Sequence, residues 1–446
     1  MAVNSEAGER LQAHPHWKRN AVLFLSGQTS SMFGSLVVQH AVMWWITFET
    51  KSGLAIALWA VAGFLPQGLI SIFGGVLADR MNRKALAMIA DGGIALATLV
   101  LALLMSIGIT ELWIILLAVA VRSVGAGFQA PAVQAMIPQI VPHDQLLRIN
   151  GLFQTIQSAM MLLAPVAAGV VFAAFGLIPV FFIDVITALI GIGLLAMVAV
   201  PTLTTIADKT TGYRADLAEG ARYIWTHRIV RWLLIVFAII FLLTVAPMFV
   251  TPLMVARSFG SEVWMVAVLE IVFSIGMLLS GILVSTVFAG RSRIGLILLS
   301  TIGYGVVTIG LGLSPNLWVF YVFMFGFGLL TPLFSAPFMT LIQETVEPDK
   351  HGRVFSYLNI VMATAAPIGL VAFGPLADLL SIEHLLVIAG IVTILVTAIA
   401  VFVPSGRAAM RLSRTTQSTA AATSGRQPGD SRAPMTTDTV DTERAG

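Results

Sequence analysis

The sequence predicts an all-α membrane protein in which twelve transmembrane helices form two pseudo-symmetric six-helix bundles. Of its 446 residues, 58% are hydrophobic and only 11% are charged, whereas roughly 25% of residues are charged in an ordinary soluble domain. A transmembrane helix needs about 20 apolar residues, and the apolar stretches leave room for about a dozen of them. Hydrocarbon must therefore replace water around most of this chain.

Polar breaks between the apolar stretches give the order of the predicted helices. A polar segment at 202–228 divides them six and six, so residues 18–201 and 229–404 are the two predicted bundles. We expect an amphipathic helix in the dividing segment, a polar N-terminus at 1–17 and a disordered tail at 405–446. The predicted spans are 20–48, 54–78, 85–108, 112–137, 150–174, 177–200, 230–256, 263–288, 294–313, 316–342, 354–379 and 384–404.

Basic residues orient the predicted helices. With both termini in the cytoplasm, the cytoplasmic segments hold 22 of the 25 Lys and Arg residues, the opposite side holds only Lys51 and Arg257, and Arg122 lies within a span. This asymmetry is typical of the positive-inside rule. The basic pI of 9.4 is therefore a signal of orientation and does not indicate a nucleic-acid partner. The long first apolar stretch predicts a retained membrane helix rather than a cleaved signal peptide.

The sequence lacks the residue sets that most enzymes and ATP-driven pumps need. It has no cysteine, which excludes disulfides, thiolate metal sites and a cysteine nucleophile. No Gly-Lys pair is present to form a P-loop, and no nucleophile–base or metal-ligand cluster lies near the end of a span. We therefore predict neither an enzyme nor a metal or cofactor site, and we expect an ion gradient to drive any transport.

Short glycine and proline patterns recur in corresponding helices of the two halves. A pattern in helix 4 recurs in helix 10 at an offset of 201 residues, and a proline in helix 5 recurs in helix 11 at an offset of 202. Two matches at nearly one offset favour a parallel repeat, an arrangement in which the substrate site lies between the halves. The matching residues are Gly125-Ala-Gly127 with Pro131 and Gly326-Phe-Gly328 with Pro332, and Pro165 with Pro367.

The loop between helices 2 and 3 reads Gly75-Val-Leu-Ala-Asp79-Arg80-Met-Asn-Arg83-Lys. It resembles the signature loop of the major facilitator superfamily of transporters, with an asparagine at the second glycine of the family pattern. The resemblance implies a conformational gate made by Gly75, Asp79, Arg80 and Arg83. In it, Asp79 pairs with Arg83 and with the N-terminal end of a neighbouring helix, and so clamps the outward-open state. The alternative is a basic loop that only orients the helices.

Gly151, Pro165 and Gly169 in helix 5 fall at the spacing of a proton-antiporter motif, although three other glycines of that motif are replaced. Small residues at this spacing equally suit ordinary tight packing between helices. The motif therefore leaves antiport and simple packing open as alternatives.

Across nearly the whole membrane part, the sequence most resembles the macrolide-efflux branch of the drug–proton antiporters. The likeness includes Gly63-Phe-Leu-Pro66, Arg122-Ser123, Ile183-Asp184-Val185 and Gly352-Arg353-Val-Phe355. It implies a secondary active exporter of amphiphilic, macrolide-like drugs, driven by proton antiport through alternating access, in a bacterial plasma or inner membrane. We expect a monomer whose partners are a small amphiphilic substrate, protons and the lipid bilayer. Siderophore and lysophospholipid transporters of the same fold are the alternative, and a membrane sensor without transport is a third hypothesis.

Ionisable residues inside the predicted spans are functional candidates, because an intramembrane charge costs about 2.5–3.5 kcal/mol on insertion scales. The candidates for proton coupling are Arg122 in helix 4, Asp184 in helix 6 and Glu270 in helix 8. For each of them, structural pairing or a hydrogen bond to a neighbouring helix is the alternative. Asp91 and His40 are interpreted as structural.

Two polar lines follow single helix faces. A polar face is unfavourable in lipid, so each line should face the central cavity or another helix, and hydrogen bonds between helices explain the lines as well as ligand contact does. The predicted substrate-cavity residues are Gln28, Ser31, Ser35 and Gln39 in helix 1, and Gln154 and Gln157, beside Asn150, in helix 5.

Overall fold

A computed structural model describes residues 16–200, 221–288, 291–347, 350–404 and 406–407. Within these ranges, the side chains of residues 72–80, 143, 245–247, 351–353, 356, 359, 363 and 366 are not described. Most of the predicted N-terminus and tail, and most of the dividing segment with its predicted amphipathic helix, lie outside the described residues.

Twelve helices in the described part of the chain are long and apolar enough to cross a membrane, which confirms the predicted fold class. Most of their ends fall within a few residues of the predicted spans. The helices are α1 (Trp17–Thr50), α2 (Gly53–Arg80), α3 (Arg83–Ser106), α4 (Leu112–Ile140), α5 (Leu146–Phe175), α6 (Leu177–Ala196), α7 (Arg228–Met254), α8 (Val263–Thr286), α9 (Arg293–Gly312), α10 (Leu317–Thr345), α11 (His351–Leu379) and α12 (Ile382–Phe402).

Helix contacts repeat between the two halves. Helix α4 packs against α2 and α3, and α10 packs in the same way against α8 and α9. The recurring glycines explain these contacts, because a side chain at Gly127 would collide with Ile70 of α2, and one at Gly328 would collide with the carbonyl oxygen of Phe273 of α8. Equivalent glycines thus permit equivalent close approaches, as a parallel repeat requires.

A serine hydroxyl of α4 hydrogen-bonds two backbone groups of α2 beside a proline. Pro66 lies inside this helix, where a proline interrupts the regular hydrogen bonding. Just beyond it, the hydroxyl of Ser123 in α4 accepts a hydrogen bond from the backbone N–H of Gln67 at 2.9 Å and donates one to the carbonyl oxygen of Gly63 at 2.6 Å. These two groups would bond each other in a regular helix, so Ser123 stands between them and keeps both satisfied inside the membrane.

The two halves meet along two pairs of helices, α2 with α11 and α5 with α8. We call the side on which α1 ends and α2 begins the Lys51 end, and the side on which α1 begins the Asn20 end. At the Lys51 end of the first pair, a side chain at Gly53 would collide with the carbonyl oxygen of Gly374. The backbones of the halves are therefore in direct contact there.

The second pair of helices diverges towards the Asn20 end. Near the Lys51 end, a side chain at Gly169 of α5 would collide with Ala267 of α8. Towards the Asn20 end, a Cβ atom on Gly151 of α5 or on Gly281 of α8 would have no atom of the described residues within 4 Å. Contact at one end and open space at the other define the shape of the gap between the halves.

Candidate functional site

A buried ion pair joins four helices of the N-terminal half. Asp184 of α6 is fully buried, and its Oδ2 accepts hydrogen bonds from the guanidinium of Arg122 in α4 and from the hydroxyl of Thr98 in α3, the latter at 2.7 Å. Its Oδ1 accepts a hydrogen bond from the hydroxyl of Ser35 in α1 at 3.2 Å. Arg122 is 12% exposed. The carboxylate thus has a compensating charge and a partner on each oxygen, which a buried charge requires.

Small residues bring α1 close enough to form this cluster. A side chain at Gly34 would collide with Thr187 and would lie 2.8 Å from the Cα of Asp184. About two turns further along the same interface, Gly27 and Gly191 are in mutual backbone contact. The glycines of α1 and α6 therefore set the distance over which Ser35 reaches Asp184.

A second buried carboxyl lies in the same half. Asp91 of α3 is 3% exposed, and its Oδ1 accepts hydrogen bonds from the hydroxyl of Ser31 at 2.9 Å and from the side-chain amide of Gln129 at 3.1 Å. The same amide donates to the side chain of Gln28 at 3.4 Å. Its Oδ2 is buried and has no hydrogen-bond partner among the described residues. The sequence interpretation treated Asp91 as structural and missed that it faces the polar line of α1.

Glu270 lies on a half-buried face of α8. Trp264 and Ile275 lie on the exposed face of α8, and Glu270 lies roughly 120–140° around the helix from them, since successive residues are about 100° apart. It is half-buried, one turn from Ala267, which meets Gly169 of α5. We find no hydrogen-bond partner for its carboxyl in the described part of the chain. Glu270 thus lies on the flank of α8 that borders the other half.

The predicted gate is only partly described. The side chains of Gly75, Asp79 and Arg80 lie outside the described residues. Arg83 begins α3 and donates a hydrogen bond to the carbonyl oxygen of Ala135 in α4 at 2.8 Å. This hydrogen bond lies within the N-terminal half.

The remaining predicted residues occupy different environments. In the polar line of α1, Gln28 and Ser31 are buried, whereas Gln39 is half-buried. In α5, Gln154 is exposed and Gln157 is half-buried. Pro165 is buried inside α5 and Gly151 borders open space. His40 contacts the carbonyl oxygen of Leu36 through Nδ1 at 2.8 Å.

A polar junction at the Lys51 end connects the halves, and the sequence interpretation missed it. Asp378, in the last turn of α11, accepts hydrogen bonds from the backbone N–H groups of Gly53 at 2.7 Å and Leu54 at 2.9 Å, which begin α2. It also accepts one from the hydroxyl of Ser52 at 2.9 Å. A carboxylate is favourable at this position, because the N-terminus of a helix carries unpaired N–H groups and a partial positive charge.

Arg257 completes this junction. It follows α7, pairs with Asp378 at 2.6 Å, and donates through Nε to the carbonyl oxygen of Lys51 at 2.9 Å. Lys51 and Arg257 are the two basic residues that the charge pattern places opposite the termini, and the structure brings them together. Their position on the side that otherwise has no basic residues was the signal in the sequence that could have indicated this junction. We call Ser52, Gly53, Leu54, Arg257 and Asp378 the Lys51-end junction.

Two six-helix halves that touch at one end and leave open space at the other, with buried charges inside the membrane-spanning helices, define a transporter of the major facilitator class. Solved structures support the fold: a bacterial homologue of the human lysosomal transporter Spinster has a TM-score of 0.62 at 15% identity, covering 91% of this chain and 98% of its own. The nucleoside transporter NupG has a TM-score of 0.68 at 11% identity, covering 86% and 98%. The family model described as transmembrane secretion effector matches residues 18–422, and the chain belongs to this family.

Characterised relatives are similar over most of their length. Macrolide efflux protein A of Streptococcus pyogenes is 28% identical over 392 residues, which cover 87% of this chain and 97% of the relative. The multidrug efflux pump Tap of Mycolicibacterium fortuitum is 23% identical over 401 residues, covering 86% and 95%. The chain is thus a multi-pass membrane transporter of the major facilitator superfamily with efflux proteins among its relatives.

Proposed function

We propose that the protein is a secondary exporter of amphiphilic, macrolide-like drugs, which it exchanges for protons by alternating access. The efflux proteins among its relatives support the direction and the substrate class. The observation that carries the mechanism is the unequal contact between the halves. They touch at the Lys51 end through Gly53 and Gly374, whereas Gly151 and Gly281 border open space towards the other end.

This interface supports a conformation that is closed at the Lys51 end. We propose that both termini are cytoplasmic, because the segments on their side hold 22 of the 25 Lys and Arg residues. The drug then enters the gap from the cytoplasm or the inner leaflet, and the Lys51-end junction separates it from the exterior. Release requires that junction to open while the signature loop with Asp79 closes the opposite end. We further propose that the protein acts as a monomer in the bacterial plasma membrane.

The charged residues beside the gap are the proposed coupling groups. Glu270 has no counter-charge in the described part of the chain, so a proton neutralises it at low energetic cost. Arg122 and Asp184 form a pair whose opening would expose one uncompensated charge to the gap. Ser35 bonds Asp184 directly, and the other polar residues of α1 and α5 are proposed to line the drug path.

Transport into inverted vesicles tests this proposal. An imposed pH gradient should drive drug uptake by the wild type, and an uncoupler should abolish it. Glu270→Gln and Arg122→Ala should each lower uptake at least tenfold, whereas the exposed matched controls Glu262→Gln and Arg148→Ala should not. If both test variants pump at the wild-type rate, the coupling assignment is wrong.

The substrate class needs a separate experiment. A competition panel of macrolides, siderophores and lysophospholipids on the purified protein in liposomes should show competition by macrolides. Competition by the siderophores or lysophospholipids alone would favour the alternative substrates. No expression-dependent change in the accumulation of any amphiphile would refute the export proposal itself.

A further inference from the structure

The N-terminal half contains two carboxyl sites stacked along the same helices. The site nearer the Lys51 end contains Asp184 with Ser35, Thr98 and Arg122, and the site nearer the Asn20 end contains Asp91 with Ser31 and Gln129. Ser31 and Ser35 are one turn apart on α1. Asp91 and Thr98, and likewise Arg122 and Gln129, are seven residues or about two turns apart, and residues at this spacing share a helix face.

The two sites differ in charge. Asp184 is bonded to a guanidinium, but Asp91 accepts hydrogen bonds only from the neutral Ser31 and Gln129, and it accepts both on Oδ1. Its Oδ2 is buried without a partner among the described residues. An ionised carboxylate in this environment would be a buried charge with no counter-charge, and such a group loses its charge rather than stay ionised.

In the described part of the chain, no cation of the surrounding helices bonds Asp91. Helix α3 packs against α4 and α6 and reaches α1 through Ser31. The described charged groups that these helices present near Asp91 are Arg122 and Asp184, which bond each other. At the start of α3, the ammonium group of Lys84 donates to the carbonyl oxygens of Ala196 and Val198 at 2.6 and 2.9 Å. With 3% of the residue exposed, the site admits nothing as large as a substrate amine, and a proton fits.

We propose that Asp91 is a proton-binding carboxyl of the transport cycle, which takes up one proton on Oδ2 while the Lys51 end is open and holds it until drug binds with that end closed. Uptake forms an O–H bond on Oδ2. Release breaks that bond, leaves its electron pair on the carboxylate and passes the proton to water that enters from the Asn20 side. This inference rests on the proposed exchange of drug for protons, and it places a proton on α3, outside the pair formed by Arg122 and Asp184.

A structural role and a proton-binding role predict different results for Asp91→Asn. The asparagine oxygen can accept the same two hydrogen bonds as Oδ1, so a merely structural residue is replaced without loss of coupling. A proton-binding residue is not replaced, because the amide does not take up a proton at physiological pH. The substitution therefore separates the two roles at nearly constant shape.

The test is proton release on drug binding, measured with a pH indicator in weakly buffered detergent solution. Exchange requires the wild type to release protons when a macrolide binds, and Asp91→Asn should release one proton fewer per drug molecule. Asp144→Asn is the matched control, since Asp144 is exposed near the Asn20 end and should release the wild-type number. Gln129→Lys is a second test variant. An ammonium group beside Asp91 should form an ion pair with the carboxylate and keep it ionised, so that this proton is neither bound nor released.

The outcomes separate this inference from the proposed function. If the wild type neither releases protons nor transports drug, the proposed exchange fails. If the wild type releases protons and both Asp91→Asn and Gln129→Lys release the same number, the exchange stands and the assignment to Asp91 is overturned. If Asp91→Asn does not fold, infrared difference spectroscopy of Gln129→Lys decides between the outcomes. The wild type should show a band of a protonated carboxylic acid, and Gln129→Lys should lack it. Persistence of this band in Gln129→Lys would refute the inference.

Discussion

Replacing Asp378 by asparagine should open the Lys51 end. In the closed junction, the carboxylate accepts hydrogen bonds from two backbone N–H groups, from the hydroxyl of Ser52 and from Arg257. The N–H groups and the hydroxyl belong to the N-terminal half, whereas Asp378 and Arg257 belong to the C-terminal half. The substitution therefore weakens three contacts between the halves and one partly exposed ion pair within the C-terminal half.

The expected magnitude follows from the charge and exposure of the junction. A hydrogen bond to a charged group contributes about 1.5–3 kcal/mol, and a carboxylate at a helix N-terminus contributes about 0.3–1 kcal/mol. The side chain of Asp378 is 30% exposed, so solvent reduces these contributions, and its ion pair with Arg257 lies within one half and does not add to them. An asparagine retains part of the hydrogen bonding. We expect a net loss of about 2 kcal/mol, which shifts the ratio of closed to open molecules about 30-fold, because about 1.4 kcal/mol corresponds to a factor of ten.

Distance measurements between two spin labels test this magnitude. The chain has no cysteine, so labels attach only to introduced ones, for example Ile107→Cys in one half and Leu313→Cys in the other. Both positions are exposed at the Lys51 end, 71% and 67% respectively. The wild type should show a short distance, and Asp378→Asn should add a longer population.

A matched carboxylate controls for the loss of charge. Glu383 accepts a hydrogen bond from the hydroxyl of Ser258 at 2.6 Å, and both residues belong to the C-terminal half. Glu383→Gln removes a charge at the same end without touching the contact between the halves, so its distance distribution should equal that of the wild type. An unchanged distribution in Asp378→Asn, or an equal shift in both variants, would refute the reasoning.

Three further substitutions test contacts within the N-terminal half, each by the Tm of the purified protein in detergent. Gly191→Ala should destabilise the protein by about 1–3 kcal/mol, because the new Cβ would lie 2.8 Å from a carbonyl oxygen of α1. Gly193 borders open space, so the control Gly193→Ala should not lower the Tm. Arg122→Met should lower the free energy of unfolding by about 3–5 kcal/mol, because it leaves Asp184 buried without a counter-charge. Adding Asp184→Asn should recover most of this loss. No recovery would show that Arg122 does not stabilise the protein through its pair with Asp184. Ser123→Ala should cost about 1–3 kcal/mol by leaving two backbone groups of α2 unpaired, and a Tm equal to that of the wild type would contradict this interpretation.

Several site residues were predictable because their signal is local. Arg122, Asp184 and Glu270 are rare ionisable residues in apolar helices, where a charge is costly, so the sequence alone singles them out. Their partners were not predictable in the same way. Thr98 is separated from Asp184 by 86 residues, and only the packing of α3 against α6 brings the two together.

Asp91 and Asp378 have partners that sequence reasoning did not identify. Asp91 was interpreted as structural from its position near the signature loop, yet its environment depends on Ser31 and Gln129, which lie 60 and 38 residues away. Asp378 ends a helix and resembles an ordinary acid at the membrane surface. Its role becomes visible only when the start of α2, 325 residues earlier, is placed beside it.

The sequence by itself determined the twelve-helix plan, the repeat and the orientation signal, because hydrophobicity, glycine spacing and basic residues act through the bilayer and along single helices. Tertiary structure alone decided which carboxyl has a counter-charge, where the halves touch and which end is closed. These properties depend on the distance between side chains on different helices, and a buried charge changes its energy by several kcal/mol according to whether a partner lies within hydrogen-bond reach.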